Sequence, residues 1–177
     1  MRLDYELLFM EYTGLMAQAP EWAARLVSTL GYFGVFISSF IGSASIIFPI
    51  PSFVLVFALG TTMNPWLIAL SASAGNVLGE LTGYALGVGG GKLIETRYKD
   101  GIKKYSKYFE DKKGFALIIL FAATPLPDDI VGVLAGMLKY NIKKFVTASF
   151  IGKLIMNAAL AWGGFYGARW VLTFFGG

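Results

Sequence analysis

The sequence has no cysteine and no histidine. The first absence removes disulfides and thiolate metal sites, and leaves the redox compartment unreadable. The second removes the commonest general base. Charge is also scarce, at 15% of 177 residues, where a soluble domain carries about 25%. The whole stretch from Leu26 to Gly79, between Arg25 and Glu80, holds not one Asp, Glu, Lys or Arg. A helix crosses the hydrocarbon core with roughly 20 apolar residues, so this run holds two crossings, or one crossing and a hairpin. The N-terminus carries acidic residues and lacks an apolar core followed by a small-residue cleavage site, unlike a cleaved signal peptide. The formal charge of +4 sits in loops between apolar spans, which points to membrane topology and away from nucleic acid.

What is present is a series of apolar pieces cut by proline. Residues 3–18 mix Leu3, Leu7, Leu8 and Leu15 with Asp4, Glu6 and Glu11 at helical spacing, and predict an amphipathic helix on the membrane surface. Pro20 opens a second short segment with Glu21 in its first turn. The apolar stretch from Gly31 to Thr62 is broken at Phe48-Pro49-Ile50-Pro51, through which no continuous helix passes. The piece from Ser52 to Thr62 makes about 16 Å of helix, half of a core about 30 Å thick. That length predicts one arm of a re-entrant hairpin. Asn64-Pro65-Trp66 marks an interface, and a full-length span follows to about Gly90. Residues 92–113 carry eight Lys or Arg against four Asp or Glu, so this loop is expected in the cytoplasm. A second broken hairpin follows: Gly114 to Thr124, Pro125-Leu126-Pro127, Asp128 and Asp129, then Ile130 to Leu138. After the basic turn of Lys139, Lys143 and Lys144, the last span runs from about Phe145 to Tyr166.

The two halves superpose with one constant shift, which brings Pro49 onto Pro125, Pro51 onto Pro127 and Gly60 onto Gly136. The turn after the first hairpin has no basic residue and the turn after the second has three lysines, so the halves are expected to be inverted. The expected fold is an all-α integral membrane protein of two inverted repeats. Each is a re-entrant helical hairpin broken at Pro-x-Pro and followed by a transmembrane helix, and an N-terminal amphipathic helix precedes them. The expected division is 1–29 for the N-terminal interfacial helices and 30–177 for the membrane domain. Within it, repeat 1 covers 30–91, the cytoplasmic loop 92–113 and repeat 2 114–170. Non-helical backbone at membrane depth needs burial in protein or a wet cavity. The tips at Pro49, Pro51, Ser52, Pro125 and Pro127 are therefore expected to face each other across a polar cavity, as in transporters built from inverted repeats.

Four ionisable residues stand out at that depth. Asp128 and Asp129 follow the second break, where an ionised carboxylate is expensive and adjacent like charges raise at least one pKa. The plainer readings are that one of them caps the helix from Ile130, or that the tip is hydrated. Glu80 and Lys153 are the charges inside the two spanning segments. Lys153 could neutralise Asp128, Asp129 or Glu80, or meet an anionic substrate; a purely structural buried pair is the alternative. Asn76 and Asn157 lie four residues from Glu80 and Lys153 and share their helix faces. Gly75, Gly79, Gly83 and Gly87 form a ridge for close helix contact, and no phosphate-loop spacing is present.

These residues resemble the DedA family, whose membrane region is called the VTT or SNARE-associated Golgi domain. The resemblance covers about residues 30–168. It rests on Phe48-Pro49-Ile50-Pro51, on Gly75-Asn76-Val77-Leu78-Gly79-Glu80 with Tyr84 and Gly87, and on Phe121 to Gly136 followed by Phe145. It implies two opposed re-entrant hairpins and translocation of lipid phosphates, such as undecaprenyl phosphate or phospholipid. The chain departs from the pattern at Ser52 and around Gly42 or Ser43, where bacterial members carry acidic residues. It departs again at Asp128 and Asp129, which replace an Arg near the second proline. The expected function is thus a multi-pass transporter of the cell membrane moving a lipid phosphate, with proton or cation coupling at Asp128 and Asp129. The rivals are an ion-coupled exporter of a small cation and a non-transporting scaffold that organises the membrane. No enzyme activity, cofactor or metal is expected. The expected partners are membrane lipids and the substrate, with a homo-oligomer left open.

Overall fold

The computed structural model describes residues 21–44, 52–95, 109, 111–124 and 128–175. The amphipathic helix expected at 3–18, both Pro-x-Pro tips and most of the basic loop lie outside them. Among the described residues the chain is helical throughout, with no strand. The helices are α1 (Glu21–Leu30), α2 (Tyr32–Ala44), α3 (Ser52–Gly60), α4 (Pro65–Glu95), α5 (Asp111–Ala122), α6 (Asp128–Met137) and α7 (Ile142–Phe175). Four are short arms flanking the proline breaks and two, α4 and α7, are long.

Both long helices start in the same way. Asn64 Oδ1 accepts from the backbone N–H groups of Trp66 and Leu67 at 3.0 and 3.3 Å. Asn141 Oδ1 accepts from those of Lys143 and Lys144 at 3.0 and 3.1 Å. Each asparagine thereby satisfies donors that a helix start leaves without partners. Pro65 fills the first helical position of α4, where a missing N–H costs nothing. The caps Asn64 and Asn141 stand one position further apart in sequence than Gly60 and Gly136, so the turn after α6 is longer by one than the turn after α3. Lys139 absorbs the insertion with φ of 51°, and Tyr140 N–H reaches back to Ala135 O at 2.9 Å, closing α6 in a Schellman turn.

The packing of the arms is reciprocal. Arm α2 lies along α4 and α5 along α7, each beside the long helix of its own half, while α3 lies mainly along α7 and α6 along α4; the two long helices also pack on each other. The crossed contacts are too close for side chains. A Cβ on Gly60 would strike the carbonyl of Ala161, and one on Gly164 that of Phe57; a Cβ on Gly136 would strike the carbonyl of Tyr84, and one on Gly87 that of Val133. Along the arms, Phe57 and Gly60 correspond to Val133 and Gly136 by the same shift that relates the prolines. Along the long helices, Tyr84 and Gly87 correspond to Ala161 and Gly164 by a shift one longer. Gly75 in turn meets the Phe36 carbonyl of α2. The glycine ridge of α4 therefore serves two neighbours, α2 at its start and α6 further on.

Two apolar clusters separate along the long helices. One gathers Val35, Leu55, Val56, Leu59, Ile68, Ala72 and Ala161. The other gathers Tyr84, Ile118, Val131, Ala135, Phe145 and Ala148. The first takes the start of α4 and the later part of α7, the second the reverse, so α4 and α7 run antiparallel and the residues between the clusters form a middle layer. By length and composition, one described helix, over Ile142–Gly167 with hydropathy 1.4, is apolar enough to cross a membrane. The span expected from Trp66 to Gly90 is helical within α4. Helix boundaries differ from the expected ones at the arms. The first ends at Gly60 and not Thr62, because Thr61 and Thr62 turn back with their hydroxyls on the Ala58 and Leu59 carbonyls.

Because the close contacts leave no room for a methyl group, Gly60→Ala and Gly136→Ala are each expected to destabilise the protein by about 1–3 kcal/mol. Thermal unfolding in detergent should show a lowered Tm for both, and an unchanged one for Gly89→Ala, whose Cβ would meet nothing within 4 Å.

Candidate functional site

The middle layer is polar. Ser73, Asn76 and Glu80 on α4 and Ser149, Lys153 and Asn157 on α7 are all buried, together with Ser38 and Ser39 on α2. Spacings of three or four residues put each trio on one helix face, and the antiparallel packing turns the two faces together. Lys153 Nζ lies 2.9 Å from Glu80 Oε1, with side chains 11% and 4% exposed. Asn157 Nδ2 donates to Ser73 Oγ at 3.0 Å, and Ser43 Oγ donates to Asn76 Oδ1 at 3.0 Å. The shift that superposes the long helices, Tyr84 onto Ala161, also brings Asn76 onto Lys153 and Glu80 onto Asn157. The quartet thus occupies two equivalent pairs of positions, one of which carries the acid and the other the base.

At the same level the outside of the protein is apolar. Leu78, between Asn76 and Glu80, is 45% exposed, and Ile151 and Ile155, flanking Lys153, are 38% and 53% exposed. A polar interior beneath an apolar exterior is the reverse of a water-soluble helix pair and suits a lipid surround.

The expected site residues fall into two groups. Asn76, Glu80, Lys153 and Asn157 come together in the layer, and of the three acids proposed for Lys153 the structure pairs it with Glu80. For Asp128 and Asp129 only the backbone is described: α6 begins at Asp128, so both sit in its first turn and neither precedes a helix starting at Ile130. Their height follows from register. A Cβ on Gly132 would lie 3.7 Å from Glu80 O and 3.9 Å from Tyr84 N, while Gly136 faces the backbone from Tyr84 to Val88. One turn along α6 thus matches one turn along α4 in the same direction, and the first turn of α6 stands level with Asn76–Glu80. By the equivalent contacts of Gly60 and Gly164, the start of α3 at Ser52 stands level with Lys153–Asn157. Pro49, Pro51, Pro125 and Pro127 lie outside the described residues.

Sequence reasoning passed over the serines. Ser43 and Ser73 hold Asn76 and Asn157, and the Ser38 and Ser39 hydroxyls are buried without a hydrogen-bond partner among the described residues. Serine in an apolar helix is too common to mark itself, and only the pairing with a buried amide would have shown it. Tyr84 was legible as part of a motif but not in its role: its hydroxyl donates to the Tyr140 carbonyl at 2.6 Å, which ties α4 to the turn between α6 and α7. A separate cavity of about 350 Å³, lined by Thr61, Asn64, Trp66, Trp162 and Phe165 among others, lies toward one end of the molecule, beyond the polar layer.

Removing one member of a buried ion pair strands the other charge, at a cost of about 3–5 kcal/mol, whereas replacing both with apolar residues of similar volume is nearly neutral. Glu80→Leu should therefore lower Tm far more than the double variant Glu80→Leu/Lys153→Met. Additive losses in the double variant would contradict the pairing.

The VTT domain profile matches residues 50–166. The chain is 30% identical over 142 residues to an uncharacterised protein of Methanocaldococcus jannaschii, covering 77% of this chain and 86% of that one. It is 32% identical over 159 residues to an alkaline phosphatase-like protein of Lactococcus lactis, covering 79% and 72%. It is 29% identical over 148 residues to the inner membrane protein YqaA of Escherichia coli, covering 80% and 96%. No solved structure matches it significantly. The matched region takes in α3 to α7 up to Tyr166, including both crossed arms and the whole polar quartet, and the chain belongs to the VTT-domain family of membrane proteins, the DedA family.

Proposed function

We propose that this protein is a cell-membrane transporter that moves a lipid phosphate, a polyprenyl phosphate or a phospholipid, between leaflets. The headgroup passes between two opposed re-entrant hairpins while its tails stay in the bilayer. The observation that carries the reading is the buried quartet of Asn76, Glu80, Lys153 and Asn157, level with the starts of α3 and α6. If Asn64-Pro65-Trp66 sits at one interface, Asn76 and Glu80 lie about 17 to 23 Å along α4, between the middle and about three quarters of the way across a core about 30 Å thick. Charged side chains at that depth are costly, and they are retained where a polar substrate or ion must pass. Broken helices that meet near the midplane supply the same service in transporters with inverted repeats. The reciprocal packing of arms, with α3 on α7 and α6 on α4, supports such a repeat. The name of the Escherichia coli relative supports the inner membrane as the location, and the eight Lys or Arg of residues 92–113 support that loop on the cytoplasmic side.

In this reading Lys153 attracts the phosphate, Asn76 and Asn157 hydrogen-bond to it, and Asp128 and Asp129 line the approach at the second hairpin tip. The quartet is buried in the present structure.

The test is translocation of labelled phospholipid and polyprenyl phosphate in proteoliposomes. Wild type is expected to translocate at least one of them, and Lys153→Ala and Asp128→Asn/Asp129→Asn to reduce the rate at least tenfold. Folded wild type that moves neither lipid would sink the reading, and export of a small cation against a proton gradient would then replace it. Full translocation by both variants would remove Lys153, Asp128 and Asp129 from the pathway.

A further inference from the structure

We infer that the Glu80–Lys153 pair is an exchange site: an incoming phosphate takes Glu80's place on Lys153, and Glu80 takes up one proton as it is displaced. This rests on the lipid-phosphate reading for its substrate class, and adds which residue carries the proton.

Charge at a buried site dictates the exchange. Lys153 is the one buried basic side chain among the described residues, and Glu80 is the one buried acidic side chain among them. With their polar atoms 2.9 Å apart, the two charges compensate each other. A phosphate that joined it without further change would leave one uncompensated negative charge in a low-dielectric layer, which is disfavoured by several kcal/mol. Protonation of Glu80 restores neutrality: Lys153 keeps its three protons and its charge, the phosphate keeps its single negative charge, and the proton comes from the aqueous phase. The released carboxyl group becomes a donor. The correspondence of the long helices puts Asn157 in the position equivalent to Glu80 and Asn76 in that equivalent to Lys153, so a neutral hydrogen-bonding side chain at the acid's position already exists in the other half.

Other groups that could take the proton can be named element by element. On α4 itself Tyr84 lies one turn away, with its hydroxyl engaged by the Tyr140 carbonyl. From α7 the facing charge is Lys153. Along α6 the level is that of Asp128 and Asp129 in the first turn. Neither α2 nor α3 carries an acidic or basic residue, and Tyr32 opens α2 at its far end. Glu80 and the two aspartates are thus the competing acceptors, and Glu80 is the one whose contact with the cation, at 2.9 Å, carries the inference.

The experiment measures binding, so that it does not depend on transport. The full chain in detergent is titrated with dihexanoyl phosphatidylglycerol, a soluble phosphodiester whose single charge does not titrate near neutrality. Calorimetry in buffers of different ionisation enthalpy reports proton uptake. Wild type is expected to take up about one proton per probe bound, and its Kd to rise about tenfold per pH unit where Glu80 is ionised when free and protonated when bound. Glu80→Gln should bind the probe with no proton uptake and a flat pH profile. Lys153→Met should lose binding and Lys153→Arg should keep it, with thermal unfolding confirming that each variant is folded. Proton uptake that persists in Glu80→Gln, or that disappears in Asp128→Asn/Asp129→Asn but not in Glu80→Gln, would overturn the inference. So would failure of folded wild type to bind. Binding with the expected linkage but no lipid translocation in vesicles would leave the exchange site standing and remove the transport reading.

Discussion

An ion pair in the middle of an apolar protein constrains everything around it. Glu80 and Lys153 are both buried, so each needs the other, and the remaining hydrogen-bonding capacity of the layer must be met by neighbours. That requirement brings α4 and α7 face to face over a particular turn of each helix. Their antiparallel crossing in turn fixes which ends of the long helices meet the two apolar clusters. A shift of either helix by one turn would set Glu80 against Ser149 or Asn157 and leave its charge without Lys153. The register of the long helices is therefore set by electrostatics, and the apolar clusters on either side add packing energy to a geometry already chosen.

The arms fill what the long helices leave open. Each half of the chain supplies a short arm that crosses to the other half and seats a glycine on a carbonyl of the long helix there. These seats are possible only where the side chain has been removed, at Gly60 and Gly164 on one side and Gly87 and Gly136 on the other. In a membrane, where no hydrophobic effect drives helices together, such close approach and buried polar contacts are the main sources of association. The crossed arrangement also has a mechanical consequence. Because α3 and α6 rest on the opposite half, neither half can separate from the other without moving both arms, and the starts of both arms stand at the polar layer. Separation of the two halves would therefore displace the starts of both arms.

Much of this was legible in the sequence, and the reasons are physical. An uncharged run from Leu26 to Gly79 leaves little alternative to a membrane, and paired prolines flanked by half-length apolar pieces make short arms. Glu80 and Lys153 were conspicuous because charges are rare in such helices, and Asn76 and Asn157 followed from their four-residue spacing. A single constant shift between the halves, set by the prolines, hides the equivalence of Asn76 with Lys153. One residue added in the turn near Lys139 lengthens the shift for the long helices, and a turn that accommodates an extra residue through a left-handed backbone leaves no mark in the hydrophobic pattern. The crossing of arms between halves was also out of reach. Which long helix an apolar arm prefers depends on three-dimensional surfaces, and the glycines that decide it look alike along the chain. The serines of the layer were missed because their partners are far away in sequence, as Ser73 and Asn157 are.

The central claim is that the buried polar layer forms where α4 and α7 cross, with Ser73 against Asn157 and Glu80 against Lys153. The chain contains no cysteine, so pairs can be introduced on a clean background. The most direct measurement is oxidative cross-linking of the double variant Ser73→Cys/Asn157→Cys in native membranes, with Ser73→Cys/Ile155→Cys as the control. The contact between Ser73 and Asn157, at 3.0 Å, predicts rapid intramolecular cross-linking of the first variant. Ile155 is exposed on the outer surface, so the control should stay reduced. Cross-linking of the control in preference to the first pair would mean that α7 presents a different face to α4, and the polar layer described here would not exist.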